Sequence, residues 1–168
     1  MELYNNLNFV SKSAYVTAAF PNQEIIDYIE GNLPQSGYLR KTEDGFVYLD
    51  VDDDYIYKLN HLITAKGFEL PPYFNWTMAV GAHITVMTKE ESLKYGIDEI
   101  EEIGLQVPFK VKECQVVHPP SFTGVEEVCF ITVEAPELDA IREKYGLPPA
   151  LYDFHITIGV KRYDAFAI

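Results

Sequence analysis

Two segments of this 168-residue chain, 82–87 (AHITVM) and 154–160 (FHITIGV), contain the same tripeptide, His-Ile-Thr. Both are rich in β-branched and apolar residues, a composition typical of buried strands. On a strand, residues i and i+2 point to the same face. The histidine and threonine of each segment are therefore predicted to share one face. If the two strands meet, two imidazoles and two hydroxyls share one cleft. They belong to His83, Thr85, His155 and Thr157.

Chance is a poor explanation for this repeat. With four histidines and nine threonines in the chain, random placement gives ~0.2 His-x-Thr motifs, so two copies are roughly a 2% event. The alternative is that both histidines are core residues satisfied by local hydrogen bonds. The matching strand contexts favour a functional pair.

The segments that precede the two motifs also match. Residues 46–72 read as a strand (FVYLDV), a helix, a glycine and Leu-Pro-Pro, and residues 130–149 repeat that order from FITVEA to a second Leu-Pro-Pro. This weak internal repeat predicts two similar α+β lobes related by a pseudo-two-fold axis. Such symmetry brings the motif strands together at a central groove.

The remaining periodicity completes an α+β pattern. Residues 34–37 read as a turn-rich connection. Further strands are expected at 14–20, 107–117 and 127–134, and helices at 22–30, 55–66, 89–95 and 136–145.

Length and composition indicate one globular domain over residues 1–168. No apolar run approaches the ~18 residues of a membrane span, and the first residues lack the features of a signal peptide, so a cytoplasmic location is expected. Cys114 and Cys129 lack metal-ligand spacing and are expected to be reduced, packed thiols. We expect a monomer without membrane partners.

The formal net charge of −13 bears on the ligand. A chain this acidic repels long polyanions over most of its surface, which argues against a general DNA- or RNA-coating role. A small nucleotide in a local pocket remains compatible with it. Aromatic residues make up 14% of the chain, a supply that suits base stacking.

The paired His-x-Thr motifs resemble those of the 2H phosphoesterase superfamily. This superfamily includes RNA ligases and cyclic phosphodiesterases of the LigT type, and phage enzymes that destroy cyclic oligonucleotide defence signals. The opening stretch YVTAAFPNQEI, Trp76 before the first motif and VPFKVKE between the motifs also resemble the family pattern. The resemblance implies a bilobal fold, with two pseudo-symmetric antiparallel sheets and outer helices around a central groove. It also implies a location in the cytoplasm of the cell or of an infected host.

The expected chemistry is acid–base catalysis on a phosphodiester without a metal or other cofactor. One imidazole takes a proton from the nucleophile, the other protonates the leaving oxygen, and the threonine hydroxyls bind phosphate oxygens. The expected substrate is a 2′,3′-cyclic phosphate, a 2′–5′ linked oligonucleotide or a cyclic oligonucleotide. Further candidate substrate-binding residues are Tyr15, Trp76, Lys161 and Arg162. The alternative is a module on the same scaffold that binds nucleotides without cleaving them.

Overall fold

The structure is a computed structural model, and it describes residues 21–72, 79–119 and 124–163. Within those ranges the chain forms five α-helices, one short 3-10 helix at Thr64–Lys66 and seven strands. The helices are α1 (Asn22–Asn32), α2 (Asp54–Tyr57), α3 (Asn60–Ile63), α4 (Lys89–Lys94) and α5 (Pro136–Lys144). The strands are β1 (Ser36–Lys41), β2 (Val47–Asp50), β3 (His83–Met87), β4 (Gln106–Pro108), β5 (Lys110–Val117), β6 (Val125–Glu134) and β7 (His155–Arg162).

Local sequence explains several helix boundaries. Pro136 begins α5 at a position where its missing amide hydrogen costs nothing, and Gly146 follows the helix with a φ of +77°. Thr88 and Glu91 form a capping box that begins α4. The predicted helix over 55–66 is interrupted, because α2 and α3 are separate four-residue helices.

The seven described strands form a single antiparallel sheet in the order β4-β1-β2-β3-β7-β6-β5. The two separate sheets that were expected are thus not confirmed. The order is nevertheless symmetric about its centre, since β2 and β3 on one side correspond to β6 and β7 on the other. The two halves join at β3 and β7 through one residue pair, Ile84 opposite Ile156.

The connection between β4 and β5 requires this sheet to curl. In a flat sheet of seven strands the two edges lie roughly 29 Å apart. Strand β4 is at one edge and ends at Pro108, while β5 is at the other edge and begins at Lys110. Two residues reach at most about 7 Å. The edges therefore approach each other around Phe109, whose amide donates to the carbonyl of Gln35.

The apolar face of the sheet forms the core. Ile84 and Ile156 are fully buried, as are Leu39 and Leu49 on the neighbouring strands and Ile131 on β6. Helix α1 packs against β5 through Ile25, Ile26 and Ile29. Cys114 and Cys129 are buried free thiols, as expected, with their sulfur atoms 3.5 Å apart. In the described ranges, no helix is long and apolar enough to cross a membrane.

Two strand predictions need correction. The stretch predicted as a turn contains the start of β1, which pairs with both β2 and β4. The strand predicted over 107–117 is two strands, because the chain leaves one edge of the sheet at Pro108 and enters the other at Lys110. The strand predicted over 14–20 lies outside the described residues.

Candidate active site

Strand register places the two motifs side by side. Ile84 pairs with Ile156 in antiparallel β3 and β7. Counting outward from this pair, His83 lies opposite Thr157 and Thr85 opposite His155. Such cross-strand neighbours have Cβ atoms about 4.5–5.5 Å apart. These four residues, named here the quartet, share the sheet face opposite the two isoleucines, named here the motif face.

Each histidine of the quartet is held by the same local hydrogen bond. The His83 Nδ1 atom lies 2.8 Å from the carbonyl of Gly81, and the His155 Nδ1 atom lies 3.0 Å from the carbonyl of Asp153. A carbonyl oxygen only accepts, so Nδ1 carries the proton in both rings. The second proton of each imidazole is therefore gained and lost at Nε2.

Asp53 supports the turn before the first motif. Its Oδ1 atom accepts a hydrogen bond of 3.0 Å from the backbone amide of Ala82. Gly81 has a φ of +72°, and a Cβ atom at this position would lie 2.5 Å from the same oxygen. The turn thus requires glycine, and it orients the carbonyl that holds His83. The three consecutive aspartates at 52–54 therefore lie at the start of α2, and Asp53 also stabilises this turn.

Aromatic rings surround both imidazoles. Phe46 and Tyr48 of the β2 region contact His83 edge-on, with ring centroids 5.8 and 5.9 Å away. Phe130 on β6 lies 5.2 Å from His155. Burial by these groups and the sheet lowers the pKa of each histidine to about 4. For His83, the bond to Gly81 opposes this shift and the charge of His155 adds to it.

The two threonine hydroxyls are available to a ligand. In the part of the chain that the structure describes, neither Thr85 nor Thr157 forms a side-chain hydrogen bond. Thr132 on the same face is different, because its hydroxyl donates to the carbonyl of Glu113 at 3.3 Å. A hydroxyl without a partner among the described residues can donate to a phosphate oxygen.

An open cleft of about 280 Å³ lies beside Thr85 and His155. Tyr152 and Asp153 line it, together with the ion pair between Arg142 and Glu91. The guanidinium lies 2.7 and 3.1 Å from the two carboxylate oxygens and donates to the carbonyl of Val86 at 2.8 Å. Arg142 is thus neutralised and fixed, and it shapes the cleft without supplying net positive charge.

Of the four further substrate-binding candidates, the structure describes Lys161 and Arg162, and neither lies with the quartet. Tyr15 and Trp76 lie outside the described residues. Ile158 is an extra residue in β7, since Cys129 pairs with Gly159 and Phe130 with Thr157. This bulge moves Lys161 to the Ile156 face, where its side chain lies against Gly67. Arg162 forms an exposed ion pair of 2.9 Å with Glu69. Their roles in substrate binding stay predictions.

Sequence reasoning missed several neighbours of the quartet. Tyr48 was detectable in principle, because alternation in the strand FVYLDV places it on one face with Asp50. Arg142 gave only a faint signal, an arginine on the apolar side of helix α5. No local pattern predicts that Asp53 reaches the amide of Ala82. Among residues 21–72, 79–119 and 124–163, no group of three or more His, Cys, Asp or Glu has the arrangement of a metal site.

The chain matches the model of a known protein family. Residues 47–166 match the family described as Swiss Army Knife, 2H phosphoesterase domain. This match covers well over half of the chain and includes both His-x-Thr motifs. The chain belongs to the 2H phosphoesterase superfamily. No curated protein and no solved structure gives a significant match.

Membership in the 2H phosphoesterase superfamily gives the general activity, the hydrolysis of phosphodiesters. It agrees with the mixed helix and strand architecture and with the antiparallel sheet whose centre carries the quartet.

Proposed function

We propose that this 2H phosphoesterase cleaves small nucleotide phosphodiesters by acid–base catalysis between His83 and His155, without a metal ion. One observation supports the proposal: two identically anchored imidazoles and two threonine hydroxyls lie on one sheet face of β3 and β7. Their Nε2 atoms are the titrating positions, which is what proton transfer on either side of a phosphorus atom requires.

The mechanism uses one neutral and one protonated imidazole. The neutral ring takes a proton from water or a ribose hydroxyl as that oxygen attacks phosphorus. The protonated ring gives its proton to the leaving oxygen as the phosphorus–oxygen bond breaks. Thr85 and Thr157 donate hydrogen bonds to the non-bridging oxygens, where negative charge accumulates. Bound phosphate is anionic and raises the low pKa of the nearby imidazole, which supplies the required proton.

The substrate classes that fit are a 2′,3′-cyclic phosphate, a 2′–5′ linked oligonucleotide and a cyclic oligonucleotide. The net charge of −13 favours a short or cyclic ligand over long RNA. The cleft beside Thr85 and His155 offers room next to the quartet for part of such a ligand.

The test is cleavage of a panel of these substrates, with the products identified by mass. We expect His83→Ala and His155→Ala each to lower kcat/KM by about 10²- to 10⁴-fold, the usual contribution of a general acid or base. His61→Ala is the matched control, because His61 is exposed and contacts Tyr28 instead of the quartet. Activity should persist in EDTA and follow a bell-shaped pH profile. Complete loss on chelation would contradict the mechanism.

A second function, nucleotide binding without turnover, is favoured by one observation. Burial lowers both histidine pKa values to about 4, so both rings are neutral near pH 7 in the free protein. Calorimetry with cyclic dinucleotides, followed by chromatography of the ligand, separates the two functions. Intact ligand after long incubation supports binding alone, whereas cleaved ligand supports catalysis.

A further inference from the structure

Side chains from β1 and β2 continue the motif face beyond the quartet. In the register of β2 with β3, Asp50 lies opposite His83 and Tyr48 opposite Thr85. In the register of β1 with β2, Tyr38 lies opposite Asp50 and Arg40 opposite Tyr48. Two rows of side chains therefore run from β3 across β2 to β1, over about 10 Å.

The motif face is open on this side and closed on the other. Tyr38 is 46% exposed, and the side chain of Arg40 is 49% exposed. On β6, by contrast, Phe130 and Thr132 are buried. A ligand bound at the quartet can therefore extend across β2 and β1, whereas the β6 residues beside the quartet, Phe130 and Thr132, are buried.

The open side carries groups that recognise nucleotides. Arg40 places its guanidinium 5.7 Å from the centre of the Tyr38 ring, a cation–π arrangement that orients both groups. Its ion pair with Asp50 is long, 4.0 Å, and both side chains are exposed, so it is weak and easily exchanged for a phosphate. Tyr48 stacks on Phe46 and touches His83. Burial, helped by Asp50, raises the pKa of Tyr48 and keeps its hydroxyl as a donor.

We propose that Tyr38, Arg40 and Tyr48, named here the platform, bind the nucleotide adjacent to the scissile phosphodiester. The tyrosine rings stack with its base, and Arg40 binds its phosphate. Asp50 lies between them and accepts from a ribose hydroxyl or a base amino group. This inference rests on the proposed function and extends it: the preferred substrate has at least one nucleotide beyond the linkage that is cleaved.

The test is a length series around one scissile linkage. A nucleoside 2′,3′-cyclic phosphate is compared with the dinucleotide and the trinucleotide that end in the same group, and the corresponding 2′–5′ linked series is run in parallel. In the wild type we expect kcat/KM to rise on extension by one nucleotide. We expect Arg40→Gln and Tyr38→Ala each to reduce that gain by about 5- to 150-fold, the range for loss of one base-stacking side chain.

Lys41→Gln is the matched control for Arg40→Gln. It removes the same charge from the same strand, but Lys41 pairs with Val47 and lies on the opposite face of the sheet from Arg40. We expect Lys41→Gln to keep the gain on extension. The platform is contradicted if the wild type gains nothing on extension, or if Arg40→Gln and Lys41→Gln retain equal gains.

Failure of the proposed function gives a different result. If the wild type cleaves no member of either series, catalysis of these linkages is excluded, and the platform is tested by calorimetry with the trinucleotides. Binding that is weaker in Arg40→Gln than in Lys41→Gln supports the platform. Equal binding by the two variants, or no binding by the wild type, overturns it.

Discussion

At the scale of single residues, the two histidines are held by the same type of hydrogen bond. Each donates its Nδ1 proton to the carbonyl two residues earlier, His83 to Gly81 and His155 to Asp153. Both hydrogen bonds are local, because each joins residues two positions apart in the chain. The consequence is that the second proton of each ring binds at Nε2.

Stability should depend on pH through these residues. His83 has a pKa of about 4 in the folded chain and about 6.5 when unfolded. Between these values the unfolded state binds the proton and the folded state does not, so stability falls as the pH drops from about 6.5 to about 4. The loss is on the order of 3 kcal/mol for His83, 6% exposed.

Urea denaturation between pH 7.5 and pH 4 measures this loss. His83→Asn keeps a polar side chain but does not titrate in this range, so its stability should vary less with pH than that of the wild type. Equal pH dependence of the two proteins would show that other groups, such as the many carboxylates, account for the whole effect.

Gly81 should tolerate no side chain. Gly81→Ala adds a Cβ atom 2.5 Å from the Asp53 carboxylate at a φ of +72°. We expect a loss of roughly 1–3 kcal/mol in the free energy of unfolding, together with reduced kcat, because the carbonyl that holds His83 moves. Gly31→Ala is the control, since it lies in helix α1 with open space around it and should stabilise by roughly 0.5–1 kcal/mol. Unchanged stability of Gly81→Ala contradicts this account.

At the scale of secondary structure elements, Arg142 joins three parts of the fold. It reaches from α5 to the carboxylate of Glu91 on α4, and to the carbonyls of Val86 on β3 and Pro148. Val86 follows Thr85 directly. Through these contacts, Arg142 links α4 and α5 to β3, the strand that contains the first motif.

Removing Arg142 should therefore destabilise the protein strongly. Arg142→Met leaves the Glu91 carboxylate without its charged partner in a partly buried site, and we expect a loss of about 3–5 kcal/mol. Arg162→Gln is the control, because it breaks an exposed arginine–glutamate pair and should cost at most about 1 kcal/mol. Chemical denaturation of both variants measures the difference. Similar losses in the two variants would mean that the buried pair contributes no more than a surface pair.

At the scale of the whole molecule, charge opposes the approach of the substrate. The net charge of −13 repels a phosphodiester before it reaches the quartet. Salt screens this repulsion, with a Debye length of about 10 Å at 0.1 M. We expect kcat/KM to increase about a few-fold between 10 and 200 mM salt. Measurements in chloride and in acetate control for binding of a particular anion, and a steep decrease with salt would contradict the prediction.

Much of the site follows from the sequence. The two His-x-Thr motifs lie on strands, alternation places the histidine and threonine of each on one face, and the matching upstream segments predict that the halves correspond. These features depend on local backbone geometry and on the alternation of apolar and polar residues along one strand. Both can be read from the sequence of a single strand.

The tertiary structure decided what depends on pairing between distant segments. Register, and not alternation, sets His83 opposite Thr157 and Tyr48 opposite Thr85. Lys161 lies six residues after His155, and regular alternation therefore predicts that both side chains point to the motif face. The bulge at Ile158 instead places Lys161 on the opposite face of the sheet. The single sheet likewise results from the contact of Ile84 with Ile156. Such contacts join residues that are far apart in the chain. Their energies depend on which residues pair, and the local sequence does not identify those pairs.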